Sequence, residues 1–203
     1  MQFLKLATFL SAAAMAAAAN TVTFVSQDST ERTIYFTANP GSSAISTIVV
    51  PGKATVTVSI PHAWQGNWYA VSKGATNVPG MLGEVAFNSW GGITFYDVSA
   101  IVNPNDKNGV KKLYPASTPK TSLSSTTLTS GCDLFPCNNA YYLPDDVQTK
   151  TTQETDLICT LGSASSTSAR SPAPEADAAE EATAPVFTRE WVMGKWTPHA
   201  NAI

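Results

Sequence analysis

Residues 83–102, GEVAFNSWGGITFYDVSAIV, constrain the fold more than any other part of the chain, because they spell two alternating runs around a short Gly-Gly turn. In Glu84-Val85-Ala86-Phe87-Asn88 the apolar Val85 and Phe87 alternate with their neighbours, the mark of a strand with one buried face. Tyr96 and Val98 play the same part in Thr94-Phe95-Tyr96-Asp97-Val98-Ser99. Trp90-Gly91-Gly92 is short enough to join adjacent antiparallel strands. This parity points Glu84 and Asp97 away from the core, so two carboxylates are expected to share one exposed sheet face.

The remainder of the chain follows the same period. Thr21-Val22-Thr23-Phe24-Val25 and Thr33-Ile34-Tyr35-Phe36-Thr37 read as strands joined by the polar turn at residues 27–30, a hairpin on this reading. Further runs at 46–50, 54–60 and 67–72 are separated by turn signals such as Pro51-Gly52 and the loop 74–83. With about seven short strands spaced about ten residues apart, the expected fold class is all-β, an antiparallel two-sheet β-sandwich. Residues 103–109, NPNDKNG, superficially suggest a calcium loop, but Lys107 stands where a ligand is needed and no acid closes the loop. An ordinary turn is expected there. Residues 115–130 read as an exposed Ser/Thr-rich connection.

The two ends differ from this core. Residues 1–19 carry Lys5, an apolar run and a small-residue site at Ala17-Ala18-Ala19, the pattern of a cleaved secretory signal peptide. A β-domain is expected over 20–162, a disordered Ser/Ala/Pro/Glu-rich linker over 163–185, and an aromatic tail over 186–203 with Phe187, Trp191 and Trp196. No membrane span is expected, and the protein should be secreted, extracellular or in the cell wall. An oxidising destination makes Cys132, Cys137 and Cys159 disulfide candidates, and the odd count leaves one over.

The net charge of −3, with scattered Lys and Arg, argues against a nucleic-acid partner. With His62 and His199 as the only histidines, neither a metal site nor histidine-based chemistry has a second partner. No cofactor is expected.

Three places in the chain resemble the thaumatin-like proteins, in particular a small secreted fungal branch with few cysteines. They are the two opening strands, Gly83-Glu84-Val85-Ala86-Phe87 with Phe95-Tyr96-Asp97-Val98-Ser99, and Cys137-Asn138-Asn139-Ala140-Tyr141-Tyr142 with Asp145-Asp146 and Cys159. The resemblance implies a sandwich with an acidic cleft, in which Glu84, Asp97 and one of Asp145 and Asp146 contact β-1,3-glucan. It also implies a Cys132–Cys159 disulfide, with Cys137–Cys159 as the alternative. The family's cleft arginine falls near Val71 and a further acid near Asn103, so the cleft is reduced.

The expected function is therefore binding of cell-wall β-glucan, or of a host or competitor surface, by a monomer without substantial catalysis. The alternative is a weak endo-β-1,3-glucanase using Glu84 and Asp97, which needs carboxyls about 5 to 9.5 Å apart and of unequal acidity. Trp64, Trp68, Trp90 and Phe95 are the candidates for stacking on sugar rings.

Overall fold

The computed structural model describes residues 20–119 and 127–163 in full and, as backbone, the strands Phe187–Val192 and Lys195–Ala200. Residues 1–19, read as a signal peptide, lie outside the described residues, as do 164–185 of the stretch read as a disordered linker.

Among the described residues eleven strands form two sheets. They are β1 (Asn20–Ser26), β2 (Arg32–Ala38), β3 (Ile48–Val50), β4 (Thr55–Ile60), β5 (Gln65–Ser72), β6 (Leu82–Ala86), β7 (Thr94–Ser99), β8 (Val110–Pro115), β9 (Ser130–Gly131), β10 (Lys150–Thr152) and β11 (Asp156–Leu161). The first sheet has the order β4-β1-β11-β8-β9 and the second β10-β7-β6-β5-β2-β3. The fold is all-β, with the inner faces of the sheets meeting over Val22, Phe24, Ile34, Trp68, Val85, Tyr96, Val98, Leu113 and Leu157, all fully buried. Val85, Phe87, Tyr96 and Val98 thus lie inside, as their alternation requires. Phe24 sets its ring edge-on to Trp68 at 5.7 Å across the interior, an arrangement favoured by the ring quadrupoles.

The expected opening hairpin does not form. β1 pairs with β4 and, in parallel, with β11, while β2 pairs with β3 and β5 in the other sheet. Residues 27–31 are an arch that carries the chain from one sheet to the other. A side-chain clamp holds this arch: Arg32, with no exposed side-chain surface, donates from Nη2 to Asp28 Oδ2 at 2.7 Å, from Nη1 to Asp28 Oδ1 at 2.8 Å and from Nε to the Asn108 carbonyl at 2.6 Å. Alternation in each strand says which residues face inward but not which sheet the strand joins, and both topologies satisfy it.

β8 escaped the sequence reading because two adjacent lysines interrupt its apolar pattern. Lys111 is buried with its ammonium 5.3 Å from the centre of the Phe135 ring, and Lys112 reaches Asp133 at 2.8 Å. The turn before it is held from within: Asp106 accepts from the backbone N–H groups of Met81 at 2.8 Å, Asn108 at 2.9 Å and Gly109 at 2.9 Å. A Cβ on Gly80 or Gly109 would run into the Asp106 carboxylate, so these positions admit no larger residue without a shift.

Both proposed pairings of Cys159 are corrected. The disulfide is Cys132–Cys137, closing a five-residue separation, and Cys159 is a free thiol buried in the core. Cys159 lies on β11 opposite Leu113, its side chain turned into the sandwich, where the Trp68 indole donates to Sγ at 3.4 Å. Burial pushes its thiol up to about 12. Within the aromatic tail at 186–203, β12 (Phe187–Val192) and β13 (Lys195–Ala200) form an antiparallel pair with Trp191 in register with Trp196.

Candidate functional site

The outer face of the second sheet, turned away from the core, carries the acids singled out in the sequence. Register places Thr37 opposite Asn67, Asn67 opposite Glu84 and Glu84 opposite Asp97, one polar row across β2, β5, β6 and β7. The expectation that Glu84 and Asp97 share a face holds. Directly opposed residues of antiparallel strands have Cβ atoms about 4.5–5.5 Å apart, so the two carboxyls are neighbours.

Their expected exposure does not hold: Glu84 and Asp97 both have a relative exposure of 0%. The whole of β6 and residues 96–100 are buried on both faces of the sheet. At the β7 edge the chain returns in the plane of the sheet, where Tyr141 forms a parallel bridge with Ser99. The Tyr141 N–H donates to the Val98 carbonyl at 2.9 Å and the Ala100 N–H to the Tyr141 carbonyl at 2.7 Å. The Tyr141 ring is buried and its hydroxyl lies 2.6 Å from that of Thr149. On the outer face Tyr69 stacks on Tyr35 at 5.3 Å and its hydroxyl donates to Asn77 at 3.1 Å, tying the loop after β5 to this face. Period two fixes the face a side chain takes but carries no signal for whether that face is open to solvent.

The third acid is placed elsewhere in the loop after Tyr141. Asp146 accepts from the N–H groups of Tyr142 at 2.7 Å and Leu143 at 2.9 Å, so its carboxylate closes a turn, while Asp145 is exposed. Val71, where a cleft arginine was looked for, is buried. Among the described residues no group of three or more His, Cys, Asp or Glu side chains is arranged to hold a metal ion. No helix among them is long and apolar enough to cross a membrane.

Of the four aromatic candidates, Trp64 and Trp68 belong to the core, Trp68 at 0% exposure, and Phe95 is half-buried on the outer face. Trp90, in the short 3₁₀ turn between β6 and β7, is 77% exposed. The half-buried Tyr35–Tyr69 pair was missed, although both tyrosines occupy alternate positions beside Ile34 and Trp68. Also missed were Leu134 and Val147, each 83% exposed, and Leu143 at 59%. They sit on two loops joined by the bond from the Cys137 N–H to the Tyr142 hydroxyl, 2.9 Å.

No family model matches the chain. Among solved structures, the protein elicitor MoHrip2 from Magnaporthe oryzae is similar at a TM-score of 0.49 and 13% identity, over 70% of this chain and 98% of that one. The antigenic protein SchS21 of Stachybotrys chartarum is 54% identical over 144 residues, 71% of this chain and 95% of the relative. These findings correct the resemblance to thaumatin-like proteins, since neither a family model nor the relative carries that identity. The short motifs behind it, such as Phe95-Tyr96-Asp97-Val98-Ser99, are alternating strands of a kind sandwiches share, and Cys159, which the resemblance paired with Cys132 or Cys137, is unbonded. At that identity and coverage the chain belongs to the family of the antigenic protein SchS21.

Proposed function

We propose that the protein is a secreted, non-catalytic binding protein that acts at a polysaccharide or cell surface. The observation that carries the non-catalytic part is the burial of Glu84 and Asp97. A glycosidase must bring both carboxyls to a sugar ring and a water molecule, and here neither side chain has any exposed surface. The polar row reads better as a packed support for the outer face.

Secretion is supported by the leader-like composition of residues 1–19 and by the Cys132–Cys137 disulfide, a bond that persists in oxidising compartments. The relative's description as an antigenic protein fits a product met outside the cell. For contact with a neutral polysaccharide the chain offers Trp90 at a hairpin tip, with Phe95 and the Tyr35–Tyr69 pair half-exposed on the outer face. Flat rings with a polar rim suit sugar faces.

Sedimentation with insoluble β-1,3-glucan, run beside a reducing-sugar assay, tests the proposal. The protein should be retained without sugar release above the blank, and Trp90→Ala should weaken retention by about fivefold, the worth of roughly one stacked ring. Sugar release that disappears in Glu84→Gln would sink the non-catalytic reading. Failure to bind glucan, together with binding to intact cells, would place the ligand on another surface.

A further inference from the structure

The two sheets end in four edges, and they are unequal. β9, β10 and β3 are two or three residues long, and β10 carries Lys150. Short strands and an edge lysine are the usual means by which a sheet avoids pairing with another molecule. β4 has none of these protections. Its six residues, Thr-Val-Thr-Val-Ser-Ile, contain no charge, proline or glycine, and it pairs with β1 and with no second strand among the described residues. Thr55, Thr57 and Ser59 are exposed, whereas Val56 and Val58 are half-buried against the core and Ile60 is buried.

We infer that the β4 edge is an interface between two copies of this chain, joined by antiparallel β4–β4 pairing about a two-fold axis. The axis runs through Thr57 or Val58. Either choice keeps residues of like parity opposed, so Val56, Val58 and Ile60 continue the partner's apolar row and Thr55, Thr57 and Ser59 its polar row. An axis between the two residues would turn the partner's apolar face to water. Two-fold pairing sets the residues at and beside the axis near their own symmetry mates, so a charge in the middle of the strand would meet its like across the junction. The absence of charge from β4 therefore suits a second copy in particular. The product joins the two five-stranded sheets edge to edge.

The test is light scattering after size exclusion over a range of concentrations, with hydrogen exchange on the same wild-type samples. The apparent mass should rise to twice the monomer's. The β4 amides should exchange about tenfold more slowly in concentrated than in dilute protein, and those of β10 at one rate throughout. Thr57→Lys places a charge beside its own copy in either register and should hold the protein monomeric with an unchanged circular dichroism spectrum, while Thr151→Lys on the β10 edge leaves dimerisation intact. Three results overturn the inference: a monomer at every concentration, a dimer that persists in folded Thr57→Lys, or β4 protection independent of concentration. The last would mean that a segment of the same chain, such as the β12–β13 pair, covers the edge. Should Thr57→Lys fail to fold, the concentration dependence of wild-type exchange decides alone.

Discussion

Arg32 takes a full positive charge to a place with no exposed side-chain surface, and Asp28 answers it with both carboxylate oxygens. Taking one partner from a buried pair leaves a stranded charge, at a typical cost of 3–5 kcal/mol. Because Asp28 is partly exposed and Arg32 keeps its bond to the Asn108 carbonyl, Asp28→Asn should cost roughly 2–3 kcal/mol at neutral pH, read from urea unfolding. The hydrogen bond from Arg32 is the main force holding the Asp28 carboxyl far below its ordinary value of 3.8. A depressed folded value favours the ionised native state, so this stabilisation is complete above about pH 4 and drains away as the pH falls toward the folded value. Wild type should therefore lose stability on acidification below about pH 4 more steeply than Asp28→Asn, and parallel pH profiles would refute the assignment. None of this was legible beforehand. An arginine just beyond a polar turn looks solvated, and only the crossing of the arch between sheets buries it. Glu84 and Asp97 show the converse: their parity was readable, but their burial, at 0% exposure, was not.

At the scale of elements, most strands of the sandwich were legible because period two and turn residues are local signals. β1, β2, β3, β4, β5, β6 and β7 all overlap runs that read as strands in the sequence. β8 was not, since its lysines are satisfied by Phe135 and Asp133 from a distant loop. The cysteine pairing was misread for a similar reason: the resemblance supplied a long-range partner, while the fold turns Cys159 into the core. A bridge across five residues encloses little chain, so Cys132→Ser with Cys137→Ser should cost about 2 kcal/mol and leave both sheets intact. Non-reducing peptide mapping should link the Cys132 and Cys137 peptides, and denaturant titration of the double variant should give the cost. A cross-link to Cys159, or collapse of the fold in the double variant, would contradict the structure.

For the whole molecule, the described strands of the two sheets and the buried cluster between them fall between Asn20 and Leu161, and the Ser163 N–H makes a further bond to Asp28 at 3.1 Å. Among the described residues β12 and β13 pair with each other and with no other strand. A chain ending at Ser163 should therefore keep its unfolding free energy within about 0.5 kcal/mol, as surface changes commonly do, and a loss above about 2 kcal/mol would show that the C-terminal pair belongs to the core. By itself the sequence determined the all-β class, the inward residues of each main strand and the common face of Glu84 and Asp97, because side-chain direction along a strand repeats every two residues. Tertiary structure decided which sheet each strand joined, which cysteines met, and that the acidic pair would be sealed. Those outcomes rest on contacts between segments far apart in the chain, and a local period carries no information about them.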